Sequence, residues 1–233
     1  MKVRIKFTKT GDLRFIGHLD VMRYFQKLFR RAGIPVKYSE GFSPHPILSF
    51  STPLPLGAES FGEYADVELV ETVSSQEAIE RMKACSVPEI EILSFKMLDE
   101  REENAMASVY AASYIVCPRE VPSSDINFDA ELVRLMSQDE LLVTKTTKKN
   151  ETTFDILPLI FEYEVLNAAK YETKLLLKAG STNHIKPELV YEAIYKANGM
   201  ILPERGLYIK RMDLYTKVDD KLVSLGNIGQ DIQ

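Results

Sequence analysis

Tryptophan is absent from this 233-residue chain, histidine occurs three times and cysteine twice. Cys85 and Cys117 lie far apart in sequence, which excludes a disulfide framework, a zinc ribbon and a Cys-ligated iron–sulfur cluster. They read instead as buried or half-buried thiols of a reducing compartment. No stretch of about 18 apolar residues occurs, so a transmembrane helix is excluded. The opening residues 1–7 alternate charged and apolar side chains, and no apolar core of a signal peptide follows, so the expected location is cytoplasmic. The dinucleotide-binding glycine fingerprint, the P-loop, the nucleophile elbow and the zincin helix are all missing. Nothing in the sequence calls for a cofactor.

Basic residues are outnumbered by acidic ones, 29 to 34. The net charge is −5, which argues against a general nucleic-acid binder. Its distribution is lopsided: residues 1–50 carry ten Lys and Arg against three Asp and Glu, whereas residues 51–105 carry four against thirteen. Such asymmetry bears on partners rather than on fold.

Hydrophobic residues make up 45% of the chain, enough for a sizeable core. Val3, Ile5 and Phe7 alternate with Lys2, Arg4 and Lys6, the period of a half-buried strand. Over residues 18–31 the period lengthens. Leu19, Met22, Phe25, Phe29 and Ala32 recur every three or four residues, as an amphipathic helix requires, and Gly33 supplies the stop. Strands are predicted over residues 34–39, 47–50, 63–70 and 89–97, with a helix from Ser74 or Ser75 to Cys85. The order β-α-β-β-α-β is that of a ferredoxin-like unit.

Residues 99–106 hold the linker, marked by a charged and polar run with no apolar member from Asp99 to Asn104. Beyond it, strands are predicted over 108–117, 141–147, 161–166, 171–178 and 207–215, with helices over 128–136 and 186–197. With residues 148–160 taken as an insertion, the order repeats. The expected fold is therefore α+β, with two tandem ferredoxin-like halves built on antiparallel sheets. The expected domains are 1–98, carrying a basic helix, and 107–233, carrying a basic hairpin insertion.

Three stretches are candidates for function. The first is Arg14 to Asp20 and the helix behind it. Arg23, Lys27 and Arg30 are spaced by four and three, so they share one helical face suited to phosphates. The competing reading is an ordinary solvated face, but Asp20 is the only acid between Arg14 and Lys37. Asp20 sits in the first helical turn, where a carboxylate complements the helix dipole; that role outweighs catalysis. Gly17 shapes the turn, and His18 fits a cap, a packing residue or a ligand.

The second stretch is residues 39–46. Gly41 permits a positive φ, and Pro44 and Pro46 stiffen the chain. Phe42 either stacks on a base or plugs the core, and His45 is presented beside it. The third runs from Pro53 through Gly57 to Glu63, mainly turn chemistry, with Glu63 placed to pair with Arg14 or His18 if the strands bring them together. A metal site drawn from His18, His45, Asp20 and Glu63 lacks any local ligand spacing and is not expected. Later in the chain, Lys145, Lys148 and Lys149 form a basic hairpin, Asp155 and Pro158 mark a structural turn, and Arg211 adds a further basic position.

The motifs Arg14, Gly17-His18-Leu19-Asp20, Arg23, Ser39-Glu40-Gly41-Phe42-Ser43-Pro44 and Pro55-Leu56-Gly57 through Glu63 resemble the bacterial radical-SAM-linked family. That family is a domain of unknown function found beside or fused to radical SAM, cobalamin-binding-type proteins. The resemblance continues more weakly at Asp155-Ile156-Leu157-Pro158, Lys186-Pro187-Glu188 and Lys210-Arg211. It implies a radical SAM partner. Two distant cysteines cannot hold that chemistry's cluster here, so the resemblance implies an accessory role. The leading expectation is an adaptor or substrate-binding protein that recognises RNA or another phosphate-rich ligand. The alternatives are a protein-docking module that uses the acidic stretch, and an independent enzyme with a His/carboxylate site.

Overall fold

The alternating first strand, β1 (Lys2–Lys9), buries Val3, Ile5 and Phe7 as its period requires. Its other face is covered too, because Arg4 is only 2% exposed. A guanidinium is buried only when paired. Arg4 donates from Nε to Asp66 Oδ1 at 2.8 Å and from Nη2 to Asp66 Oδ2 at 2.9 Å. The expected half-buried strand is thus a central one. The computed structural model describes residues 1–122, 126–146, 151–180 and 184–233.

After β1 come α1 (His18–Ala32), β2 (Leu48–Phe50), β3 (Glu59–Glu68), α2 (Ser75–Cys85), β4 (Ile92–Met97) and the short α3 (Ala105–Ser108). Next follow β5 (Ala111–Pro118), α4 (Phe128–Met136), β6 (Leu142–Thr146), β7 (Glu151–Asp155), β8 (Ile160–Asn167), β9 (Glu172–Lys178) and α5 (Pro187–Ala197). The chain closes with β10 (Leu207–Val218), β11 (Lys221–Ser224) and β12 (Gln230–Asp231). The architecture is α+β, with mostly antiparallel strands and few helices.

Two compact units result. One takes in Met1–Ala111 and Arg211–Gln233, the other Ala112–Lys210. Residues 211–233 therefore pack with the N-terminal elements. Residues 99–106 are bound to the first unit: Lys2 Nζ donates to Glu102 O at 2.8 Å, Arg4 Nη2 to Glu103 O at 2.9 Å, and Asp66 Oδ2 accepts from Ala105 N at 2.7 Å.

In the first unit, β1 pairs antiparallel with β3 and β4, and β2 pairs with β3, giving the order β4-β1-β3-β2. β12 joins the β4 edge and β10 lies beside β3. Gly62 on β3 permits that approach, since a Cβ there would sit 2.7 Å from Met212 O. α1 and α2 cover the sheet's apolar face. From α1, Val21, Phe25, Leu28, Phe29 and Ala32 enter the core, while Leu19 stays 60% exposed. Met22 packs against that core as well, so of the expected apolar face only Leu19 falls outside it. Gly33 ends it at φ 63°, the left-handed stop expected of glycine. Residues 34–39 form no full strand; only Val36 and Tyr38 make isolated bridges, as Pro35 lacks the N–H a ladder needs.

Beside the sheet, Asp213 gathers a polar cluster. The Tyr64 hydroxyl donates to it, as do Ser224 Oγ at 2.7 Å and Lys6 Nζ at 3.0 Å. Burial, and then the Asp213 charge, push the Tyr64 phenol well above its ordinary pKa.

The second unit packs α4 and α5 around Phe128, Leu132, Leu175, Leu177, Tyr191 and Ile194. β8 and β9 are antiparallel neighbours, and β6 and β7 form a separate hairpin. Asp155 Oδ1 accepts from Leu141 N at 2.8 Å and Leu157 N at 3.0 Å, closing the turn in which Pro158 sits. The buried Tyr191 hydroxyl reaches Val116 O at 2.8 Å, Tyr171 O at 2.5 Å and Thr173 Oγ1 at 3.0 Å.

Two stability outcomes follow from these buried polar groups. Asp66→Ala strands the Arg4 guanidinium in the core and is expected to lower unfolding free energy by about 3–5 kcal/mol in urea titrations. A loss under about 1 kcal/mol, the scale of an exposed pair, contradicts it. Tyr191→Phe removes the single buried O–H that the Val116 and Tyr171 carbonyls share and is expected to cost about 1–3 kcal/mol by the same measurement. An unchanged midpoint would show that water replaces the hydroxyl.

Candidate functional site

The basic face of α1 rests on its apolar one. Phe25, Leu28 and Phe29 anchor the helix in the core, and Arg23, Lys27 and Arg30 emerge on the solvent side. Arg23 pairs with Asp20 at 3.3 Å, between side chains that are both largely exposed. Such a pair is weak and easily displaced. Among the described residues, Lys27 and Arg30 make no ion pair. Arg31 lies 5.9 Å from the Tyr24 ring centroid. Asp20 serves its own helix here, in the first turn and bonded to Arg23.

Arg14 stands apart from that face. Its Nη1 is 3.6 Å from Glu59 Oε1, and its guanidinium lies 4.8 Å from the Phe15 centroid. Gly57, at φ 87°, donates its N–H to Arg14 O at 2.8 Å, which fixes the 53–57 turn against the start of the helix. Glu63 pairs with neither Arg14 nor His18.

The 39–46 loop is held by its own bonds. Ser39 N donates to His45 O at 2.8 Å, His45 N donates to Ser39 Oγ at 3.2 Å, and His45 Nδ1 lies 3.1 Å from that hydroxyl. Gly41 turns the tip at φ 110°. Phe42 is fully exposed there, so it does not plug the core. His45 is exposed as well.

Arg211 is only 2% exposed. Its Nε and Nη2 donate to Glu63 Oε1 at 3.0 and 2.5 Å, and Nη2 also donates to Thr52 O at 2.9 Å. A position read from sequence as part of a basic surface is thus interior. Lys148 and Lys149 lie outside the described residues. The backbone of Lys145 pairs with Thr152 on the β6–β7 hairpin.

One polar residue of this region gave no sequence signal. Lys9, at the end of β1, is 3% exposed, and its Nζ donates to Ile16 O at 3.0 Å. It lines a small pocket with His18, Ser51, Glu63, Phe7, Val21, Phe50, Pro53 and Leu54. His18 meets Phe50 edge to face at 5.4 Å between centroids. Burial lowers the Lys9 pKa from its ordinary value; Glu63 opposes that shift and Arg211 adds to it. His45 and Asp20 do not line this pocket. Among the described residues no group of three or more His, Cys, Asp and Glu side chains could hold a metal. Burial, and secondarily Glu172, raise the pKa of the Cys117 thiol, which disfavours the nucleophilic thiolate.

Among the described residues, no helix is long and apolar enough to cross a membrane. No curated protein matches the chain. Among solved structures it is similar to a heavy metal efflux pump seen by X-ray crystallography, at 11% identity and a TM-score of 0.23. That match covers 93% of this chain and 28% of the pump's chain, and a score so low does not establish a shared fold. A bacterial family matches far more directly, over residues 2–187. With most of its length so matched, the chain belongs to the family described as uncharacterized protein conserved in bacteria (DUF2344).

Proposed function

We propose that the protein is a cytoplasmic accessory or substrate-binding protein that acts with a radical SAM partner and recognises RNA or another phosphate-rich ligand. The observation that carries ligand recognition is the solvent face of α1. Among the described residues, three cations spaced along one helix meet one weak ion-pair partner, so their field is left for an outside polyanion. The exposed Phe42, on a loop closed by Ser39 and His45, offers a ring for a base to stack on. The radical SAM partner rests on the motif resemblance alone.

A tandem of two ferredoxin-like units is the proposed architecture behind this role. It is supported by the strand order β4-β1-β3-β2 in the first unit. In the second, the start of β10 with β5, β9 and β8 repeats that order, and the β6–β7 hairpin is the insertion.

A docking role is the second reading. It is favoured by Phe15, Leu19 and Leu56, all more than half exposed around the start of α1. Co-purification after nuclease treatment separates the two, since docking needs no nucleic acid.

Fluorescence anisotropy with a labelled mixed-sequence single-stranded RNA tests the leading reading. Affinity is expected to fall between about 50 and about 200 mM salt, and Arg23→Glu with Lys27→Glu is expected to weaken it by at least roughly tenfold. No binding at the lower salt, or equal binding by the double variant, contradicts RNA recognition through this face.

A further inference from the structure

A strand at the rim of a sheet offers a row of backbone N–H and C=O groups to any chain that can reach it. β8 is such a strand. In the Ala112–Lys210 unit the strand order is β5-β9-β8, and among the described residues β9 is the one strand that β8 pairs with. Edge strands are usually blunted by shortness, lysine, proline or a bulge. β8 is eight residues long and has neither lysine nor proline. Its register with β9 shifts near its two ends, between Ile160 and Glu162 and between Val165 and Asn167. Between those shifts Glu162, Tyr163, Glu164 and Val165 stay in regular register, opposite Leu176, Leu175, Lys174 and Thr173.

The side chains of that stretch sort by face. Tyr163 and Val165 stand opposite the buried Leu175 and Thr173 and so share the core face. Val165 packs against the core, while Tyr163 is left 41% exposed. Glu162 and Glu164 are exposed and belong to the other face. Lys174 stands opposite Glu164 on β9, yet among the described residues neither glutamate makes an ion pair. A second copy of the chain is a poor guest for this edge. Two β8 strands related by a twofold axis keep like faces together, so the glutamates of one copy would lie opposite or diagonal to those of the other, and such like-charge pairs are destabilising.

We infer that the outer edge of β8 takes up an extended segment of a partner protein as an added strand, a segment in which basic and apolar residues alternate. Lysine or arginine stands opposite Glu162 and Glu164 on one face, and the intervening apolar side chains cover Tyr163 and continue the core beside Val165. Main-chain hydrogen bonds hold the segment, and the alternation selects it. The same carboxylates that attract this guest keep β8 from pairing with itself. The site does not involve the α1 cations and does not depend on RNA binding there.

A labelled heptapeptide of alternating lysine and valine, acetylated and amidated at its ends, is titrated into the full chain and followed by NMR and amide hydrogen exchange. Saturable shifts are expected at residues 160–167, with slowed exchange of the β8 amides that point away from β9. Glutamate in place of lysine in the peptide is expected to abolish binding. Methylation of every peptide backbone nitrogen is expected to abolish it too, since this removes the ladder and keeps the charge. Glu162→Lys with Glu164→Lys alters two exposed side chains and is expected to weaken binding by roughly tenfold or more without loss of fold. No saturable binding, equal binding of the methylated peptide, wild-type affinity in the double variant, or shifts confined to residues outside β8 and β9 overturns the inference.

Discussion

The ion pair between Arg211 and Glu63 is the constraint around which the N-terminal face is arranged. It joins two strands whose residues are 148 positions apart and reaches Thr52 O in the loop between them and the pocket. Removing either charge would leave the other buried without its partner, which costs far more than an exposed pair contributes. The pair therefore fixes β10 against β3. Arg211 engages Glu63 through Oε1, and the Glu63 carboxylate also favours the charged form of Lys9 beside it.

A similar logic governs Arg4 and Asp66. Their bidentate geometry lets β1 be covered on both faces, and the same Asp66 carboxylate accepts the N–H of Ala105. The chain is thereby tied down where its composition looks like a free linker. With these two buried pairs in place, α1 has a stiff platform beneath Phe25, Leu28 and Phe29.

Sequence periodicity made α1 legible, including its stop at Gly33, because local spacing determines which side chains share a helical face. It left the rotation open, since Leu19 and Val21 are both apolar and only contact with the sheet decides which is buried. The α+β class was legible for the same local reason. The buried ion pairs were not. Arg4 and Asp66 are 62 residues apart, and charged residues in an alternating strand read as solvent-facing until the neighbouring strand is known. Lys9 escaped notice on that account, and Arg211 looked like surface. In the 39–46 loop, Gly41 announced the turn, while the exposure of Phe42 required the bonds between Ser39 and His45 that fold the loop back on itself.

The central claim is that the ligand-facing side of the molecule is the outward face of α1, held rigid by the core beneath it. Side-chain NMR of the arginine guanidinium and lysine ammonium groups during RNA titration tests it most directly. The account predicts that Arg23, Lys27 and Arg30 shift together and saturate together, while the buried Arg4 and Arg211 stay in place. Shifts confined to residues of the Ala112–Lys210 unit, or none at the α1 cations, would contradict it.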